Sequence, residues 1–342
     1  QIIGRKPLLL FGHFSYTLAL IFLFIAFDWV FVFFSIIFIA FGMSCFWPSL
    51  FAYVSDFTPE TFGQSNGRIF QMGDIGSIIG SLISSLLLDT LLWDLRTLFG
   101  VIAGIGVFSG LITILILPEG LAIEDRRQVN SILQAIKESI IFMAQSLKNI
   151  TKSNQLAEVY SFQFILSFIE FTAATFLPVL IVAKGYTRGD VAELVFWSTL
   201  VIIWFKPYLG KITDIFEFSH TISVFLIISS LTMLAFIIVQ SYWLLVLLFI
   251  FLNSSLIASY IAANGETARR ASFAQRGTAM GALGVYVSLG RTTSTVLLGP
   301  IWEYLGLIGV FLIASFGVLI ITILIFFFSK QRKKRITNIR SL

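Results

Sequence analysis

Long apolar runs, broken by short polar stretches, dominate the chain. Crossing a hydrocarbon layer roughly 30 Å thick takes about 20 mainly apolar residues. Ten segments reach that scale: 7–27, 29–54, 67–92, 97–117, 158–183, 191–209, 220–239, 242–263, 278–300 and 305–328. The pattern predicts an all-α polytopic membrane protein with ten transmembrane helices. The first run is too long for a secretory signal, and no cleavage pattern follows it. Between the fourth and fifth runs the period changes. Val129, Ile132, Leu133, Ile136, Ile140, Met143, Leu147 and Ile150 share one helical face, with Gln134, Lys137, Glu138, Gln145 and Lys148 elsewhere. This is an amphipathic helix at the headgroup level or against the bundle, too polar to be an eleventh span.

Composition narrows the class. Of 342 residues, 57% are hydrophobic and 12% charged, mean hydropathy is +0.94, and Phe occurs 37 times. A soluble domain carries roughly twice that charged fraction. A disordered protein, a secreted disulfide scaffold and a soluble enzyme are excluded. The single cysteine, Cys45, cannot form an internal disulfide, and two histidines, His13 and His220, make no metal site. No cofactor is implied.

The basic residues give an orientation. With residue 1 on the inner side, 19 of the 23 Lys and Arg fall in inner segments, three (Arg96, Lys184, Arg188) in outer ones, and Arg291 within a span. Positive residues stay on the cytoplasmic side, so both ends should be cytoplasmic, in the plasma membrane. The net charge of +5 then reflects topology and contact with membrane lipids, not nucleic-acid binding. Four parts are expected: 1–117, a first bundle; 118–157, a cytoplasmic linker with the amphipathic helix; 158–329, a second bundle; and 330–342, a basic cytoplasmic tail.

The two bundles look related. Shifted by about 210 residues, Asp56 meets Glu266, Gly67 meets Gly277 and Gly80 meets Gly290. Each match sits where a span ends, a loop passes and a glycine-bearing span begins. Such repetition of topology marks transporters with two similar halves. The first half has four spans and the second six, so two further spans are expected ahead of residue 1.

Three ionisable residues fall inside spans, where a charge needs a partner or a cavity. At about 1.5 Å per residue, Glu170 lies roughly 18 Å from the inner end of its span, Arg291 roughly 20 Å and Asp74 roughly 10 Å. Glu170 and Arg291 share a depth and could pair. Each could act on a solute or a proton, and each could equally fix helix packing. Trp47, beside the helix-bending Pro48, either touches a ligand or packs near the span end. Asn253 bonds a neighbouring helix or a solute. Glu193, Lys184 and Lys206 lie near span ends, where long side chains reach water.

Several loops resemble those of the major facilitator superfamily of secondary transporters, across nearly the whole chain. Gly4-Arg5-Lys6 is similar to the tail of that family's Gly-x-x-x-Asp-x-x-Gly-Arg-Lys loop, and Gly210-Lys211-Ile212-Thr213-Asp214 keeps its Gly and Asp. Asp56, with Gly67-Arg68, and Glu266, with Arg269, Arg270 and Arg276, resemble the family's later loops. The resemblance implies a 6+6 two-bundle fold of which these are helices 3 to 12. It implies alternating access around a central site, and loop charges that latch the inner gate: Asp214, Asp56 and Glu266, with Arg5, Arg68, Arg269, Arg270 and Arg276. Those charges could also be plain helix-end charges. The drug–proton antiporter signature is degraded at Gly73–Ser81, where its Pro is missing. Gly76 and Gly80, like Gly277 and Gly281, are expected to allow tight helix packing. The resemblance places Glu170 against the central cavity. The expected function is secondary active transport of a small-molecule substrate by a monomer, with protons as a candidate coupling ion. A channel or receptor, or a membrane-embedded enzyme, is the alternative. The latter would need a cluster of His, Asp or Cys that the chain lacks.

Overall fold

The computed structural model describes residues 4–85, 93–118, 154–272 and 275–340, with the single positions Leu87 and Leu91. The described residues form nine helices: α1 (Arg5–Phe24), α2 (Trp29–Phe57), α3 (Phe62–Ser85), α4 (Leu95–Ile116), α5 (Asn154–Ala183), α6 (Arg188–Ile215), α7 (Phe218–Ile238), α8 (Tyr242–Arg270) and α9 (Arg276–Arg340). Eight of them are long and apolar enough to cross a membrane.

The expected count of ten is therefore not matched, for two physical reasons. The segment 67–92 falls in α3, whose first turns carry Gln64, Ser65, Asn66, Arg68, Gln71 and Asp74 and dilute its apolar content. The segments 278–300 and 305–328 both fall in α9. Its apolar part, Arg276–Phe327, would be about 78 Å long at 1.5 Å per residue, over twice a hydrocarbon core. The break is at Gly306, whose φ of 68° and ψ of −175° leave the helical region. Only a residue without Cβ holds that conformation cheaply. The amphipathic helix expected over 129–150 lies outside the described residues, and so do the side chains of the basic tail.

Polar residues set the helix boundaries. Asp28 opens α2, its carboxylate accepting from the Val30 amide, and Asp94 opens α4, accepting from Thr97. Thr187 and Asp190 form a reciprocal capping box at the start of α6, which satisfies amides that have no partner within the helix. Serines and threonines inside the helices mostly donate back one turn, as Thr232 does to Ile228 and Ser259 to Ser255. This keeps hydroxyls satisfied in an apolar medium.

The residues cluster into two compact units. Unit 1 holds residues 1–59, 73–148 and 272–281; unit 2 holds 60–72, 149–271 and 282–342. In unit 1, α1 lies against α2 and α4. Phe22 stacks on Phe34 and Phe38, and His13 Nε2 sits 2.7 Å from the Gly106 carbonyl oxygen. Large apolar side chains such as Phe33, Ile36, Phe108 and Leu115 are exposed on α2 and α4, as lipid contact requires. In unit 2, a dense core of Phe162, Ile169, Ile222, Met233, Phe236 and Leu245 is buried. Ser229 and Ser255 join α7 to α8 at 2.7 Å. Among the described residues, a Cβ added at Gly76, Gly80 or Gly281 meets nothing within 4 Å, so the tight packing expected at these positions is not seen there.

Candidate functional site

Two layers of polar side chains stand out from the apolar helices. The first is mid-span in unit 2. Glu170 lies 16 residues into α5 and Arg291 15 residues into α9, each about 22–24 Å from its helix start. Arg291 Nη2 donates to both carboxylate oxygens of Glu170, at 3.2 and 3.3 Å. Both side chains are 38% exposed. Local packing holds the pair in place. A Cβ at Gly290 would collide with the Phe164 carbonyl oxygen, so α9 passes α5 at backbone contact there. Tyr160 stacks on Tyr286 below the pair, and Thr172 and Ser294 hydrogen-bond above it at 2.9 Å. Pro178 in α5 removes the amide that would bond the Ala174 carbonyl, one turn beyond Glu170.

The second layer lies at helix ends. In unit 2, the Asp214 carboxylate accepts from the amides of Gly63 and Gln64, both at 2.9 Å. It caps the start of α3, where a helix favours negative charge. Arg269 Nη2 reaches Asp214 at 3.4 Å, and Arg269 also faces Glu266 at 3.5 Å. Arg270 bonds Glu266 at 2.7 Å and Glu158 at 2.9 Å. The α3 and α6 backbones touch here: a Cβ at Gly210 would collide with the Gly63 carbonyl, and one at Gly67 with the Lys206 carbonyl. In unit 1, Asp56 accepts from Arg5 at 3.3 Å and from Arg276 at 3.1 Å, with Arg5 and Asp56 both 4% exposed. Arg5 lies across Gly277, whose missing Cβ leaves room for the guanidinium.

A search against family models matches this chain twice. The model described as Major Facilitator Superfamily matches residues 1–187 and again residues 159–341. The chain belongs to the major facilitator superfamily. The double match fits two related halves. No curated protein sequence matches the chain. Among solved structures, the chain is similar to one titled a Major Facilitator Superfamily transporter, FucP, in the outward conformation, with TM-score 0.72 and 15% identity over 93% of this chain and 82% of that one. It is also similar to a variant form titled the E. coli fucose:proton symporter, FucP, with TM-score 0.70 and 16% identity over 96% and 84%. As a member of this superfamily it is a secondary transporter and not an enzyme.

Within the superfamily fold, the sequence-derived candidates separate into distinct places. Glu170 and Arg291 come together. Asp74 is half-buried on the part of α3 that belongs to unit 1. Trp47 is half-buried, stacked on Phe51 and edge-on to Phe46. Asn253 donates to the Phe249 carbonyl of its own helix rather than to a neighbouring helix. Gly4 precedes α1 with a φ of 91°. Lys6 donates to the Ile114 carbonyl at the end of α4. Arg68 is exposed and makes no ion pair among the described residues.

Some residues that matter here gave no signal of function in the sequence. Glu158, near the start of α5, shares Arg270. Gly63, by contrast, belongs to the loop that resembles the family's, and it makes the backbone contact with Gly210. Lys184, read as a residue reaching for water, donates to the carbonyls of Ile237 and Val239, both at 2.9 Å, and closes the end of α7. An apolar cleft of about 540 Å³ beside α1 and α4 is lined by Phe24, Gly100 and Val107, with Thr97 as its polar contribution. None of the ion-paired residues lines it, and it offers little to a polar solute.

Proposed function

We propose that this transporter moves a small polar solute by alternating access, with a proton carried at Glu170. The observation that carries the reading is the Glu170–Arg291 pair, mid-span and half-exposed on both sides. An ion pair there costs desolvation that a packing role alone repays poorly. A carboxylate held by one arginine can accept a proton once that arginine turns to another ligand. The similar solved structures include one titled a fucose:proton symporter, which favours protons as the coupling ion.

In this reading the two bundles are residues 1–117 and 158–329, halves of a 6+6 arrangement joined by the linker 118–157. Both ends and the basic tail 330–342 face the cytoplasm, and a monomer works in the lipid of the plasma membrane. The clusters Arg5–Asp56–Arg276 and Asp214–Arg269 then lie on the cytoplasmic side and act as latches. What supports this is their make-up: in each, a carboxylate from one half of the sequence holds an arginine or a helix start from the other. Opening the cytoplasmic side requires breaking both.

The test is flux in liposomes. The full chain is reconstituted with a pH-sensitive dye inside, and solutes are added outside one at a time. The expected result is acidification driven by a particular solute and abolished by Glu170→Gln. Solute-driven acidification that persists in Glu170→Gln removes Glu170 from the mechanism. Ion currents far above transporter turnover would mean a channel instead.

A further inference from the structure

The Glu170–Arg291 pair uses only part of the arginine. Strong guanidinium–carboxylate pairs are fork-on-fork: two nitrogens each hold one oxygen, at about 2.7–2.9 Å. Here one nitrogen, Nη2, serves both oxygens of Glu170, at 3.2 and 3.3 Å. Arg291 Nε is buried and has no hydrogen-bond partner among the described residues. A guanidinium N–H left unsatisfied among apolar helices is costly, and Glu170 alone does not saturate this one.

The surface around Arg291 is also unlike a lipid-facing one. Gly284, Ser288, Arg291 and Thr295 recur at intervals of three and four residues and so share one face of α9. A Cβ at Gly284 would meet nothing within 4 Å. Ser288 and Thr295 are exposed, and each donates its hydroxyl proton to its own helix backbone, which leaves its lone pairs for a ligand's hydroxyls. On α5 the positions one and two turns beyond Glu170 are small, Ala174 and then Pro178. A hydroxyl-lined strip with room beside a half-used arginine fits a hydroxylated carboxylate.

Charge balance then links the ligand to the proton. As it stands the pair is neutral overall. A second carboxylate on Arg291 would leave one uncompensated negative charge in mid-span, which is heavily penalised. One proton on Glu170 removes that penalty and frees the arginine fork at the same time. Among the described residues, Arg291 from α9 and Tyr260 from α8 face Glu170. Among the described residues it makes no other ion pair.

We infer that Arg291 is the binding site for a small hydroxylated organic monocarboxylate, which displaces Glu170 from the guanidinium and enters together with one proton. This rests on the proposed function and deepens it by naming the substrate class at the same site.

The probe is gluconate, with glucose and L-fucose as uncharged counterparts. The measurement is the thermal unfolding midpoint of the full chain purified in detergent, titrated with each probe at pH 5.5 and 7.5. The expected result is a midpoint raised by gluconate alone. Where Glu170 is ionised, apparent affinity should fall about tenfold per pH unit as pH rises, the mark of one linked proton. Glu170→Gln should bind gluconate with no pH dependence. Arg291→Lys should bind more weakly by at least about tenfold, because it lacks the fork, and Arg291→Gln should not bind. If Arg291→Gln does not fold, the loss of pH dependence in Glu170→Gln still decides the matter.

Three results would overturn the assignment: no gluconate effect at either pH, an equal effect from glucose or L-fucose, or a gluconate response surviving in Arg291→Gln. The liposome assay keeps the two readings apart. Proton-coupled uptake of an uncharged sugar without gluconate binding would remove this assignment and leave proton-coupled transport standing. Gluconate binding that keeps its one-proton pH dependence, but with no flux in liposomes, would remove proton-coupled transport and leave Arg291 as the carboxylate site with Glu170 as its linked proton group.

Discussion

A missing side-chain carbon has opposite meanings at different glycines of this chain. At Gly210 an added Cβ collides with the backbone of Gly63, and backbone cannot step aside as a flexible side chain can. Gly210→Ala is expected to destabilise by about 1–3 kcal/mol, the usual cost of overpacking a tight contact. At Gly76 a Cβ meets nothing within 4 Å. Gly76→Ala should stabilise α3 by up to about 1 kcal/mol through helix propensity alone. Thermal or chemical unfolding of both variants in the same detergent checks the contrast. Equal effects would mean that α3 and α6 do not touch at this point.

Asp94 offers a pH test at the same scale. Hydrogen bonds from the Thr97 hydroxyl and amide hold its carboxyl below the ordinary 3.8. A depressed acid stabilises the fold fully above its unfolded pKa, and that share is lost as pH falls through the lower folded value. Unfolding midpoints followed down an acid series should therefore fall less steeply in Asp94→Asn than in the parent. Matching slopes would mean that the cap contributes nothing.

Helices were the most legible level in the sequence, because span length and apolar run length are the same physical demand. The runs at 7–27, 29–54 and 97–117 reappear as α1, α2 and α4 with small shifts at their ends. The demand is ambiguous where a single residue turns the chain. Gly306 separates two spans within α9 by leaving the helical region at a single residue, with no long polar loop to mark the boundary. The nearness of Glu170 to Arg291 was legible for a similar reason, since depth along a helix follows from counting. The capping of α3 by Asp214 was not, because residues 150 apart carry no local mark of their contact.

One contact at the helix scale can be weighed directly. Thr172 and Ser294 join α5 to α9 through two buried hydroxyls. Interhelical hydrogen bonds in membrane proteins average about 0.6 kcal/mol and reach about 1.7. A double-mutant cycle with Thr172→Val and Ser294→Ala should return a coupling in that range. A coupling of zero would mean that the two hydroxyls are satisfied independently by their own helices.

For the molecule as a whole, the charged residues at helix ends can be tested by what each holds in place. Asp214 accepts from the amides of Gly63 and Gln64, so those amides report its state. Asp214→Asn weakens the acceptor and removes the charge that suits the start of α3. Hydrogen exchange in the peptide covering 62–66 should speed up by at least about tenfold, a loss of about 1.4 kcal/mol of protection. Asp56→Asn should leave that peptide unchanged and loosen the start of α9 instead. If neither variant alters exchange, these carboxylates do not restrain the helix ends they touch.

The exchange of segments between the two units has a bearing on how the chain is assembled. Residues 60–72 come from early in the sequence yet belong with α5 to α8, and residues 272–281 come late yet belong with α1 and α2. The first stretch cannot reach its final neighbours until α5 to α8 have been made, and the second is itself made only after them. Severed within 118–157 and co-expressed as two pieces, each fragment would carry the set of contacts its counterpart needs. Such split genes should complement one another, and a piece made alone should be short-lived in the cell.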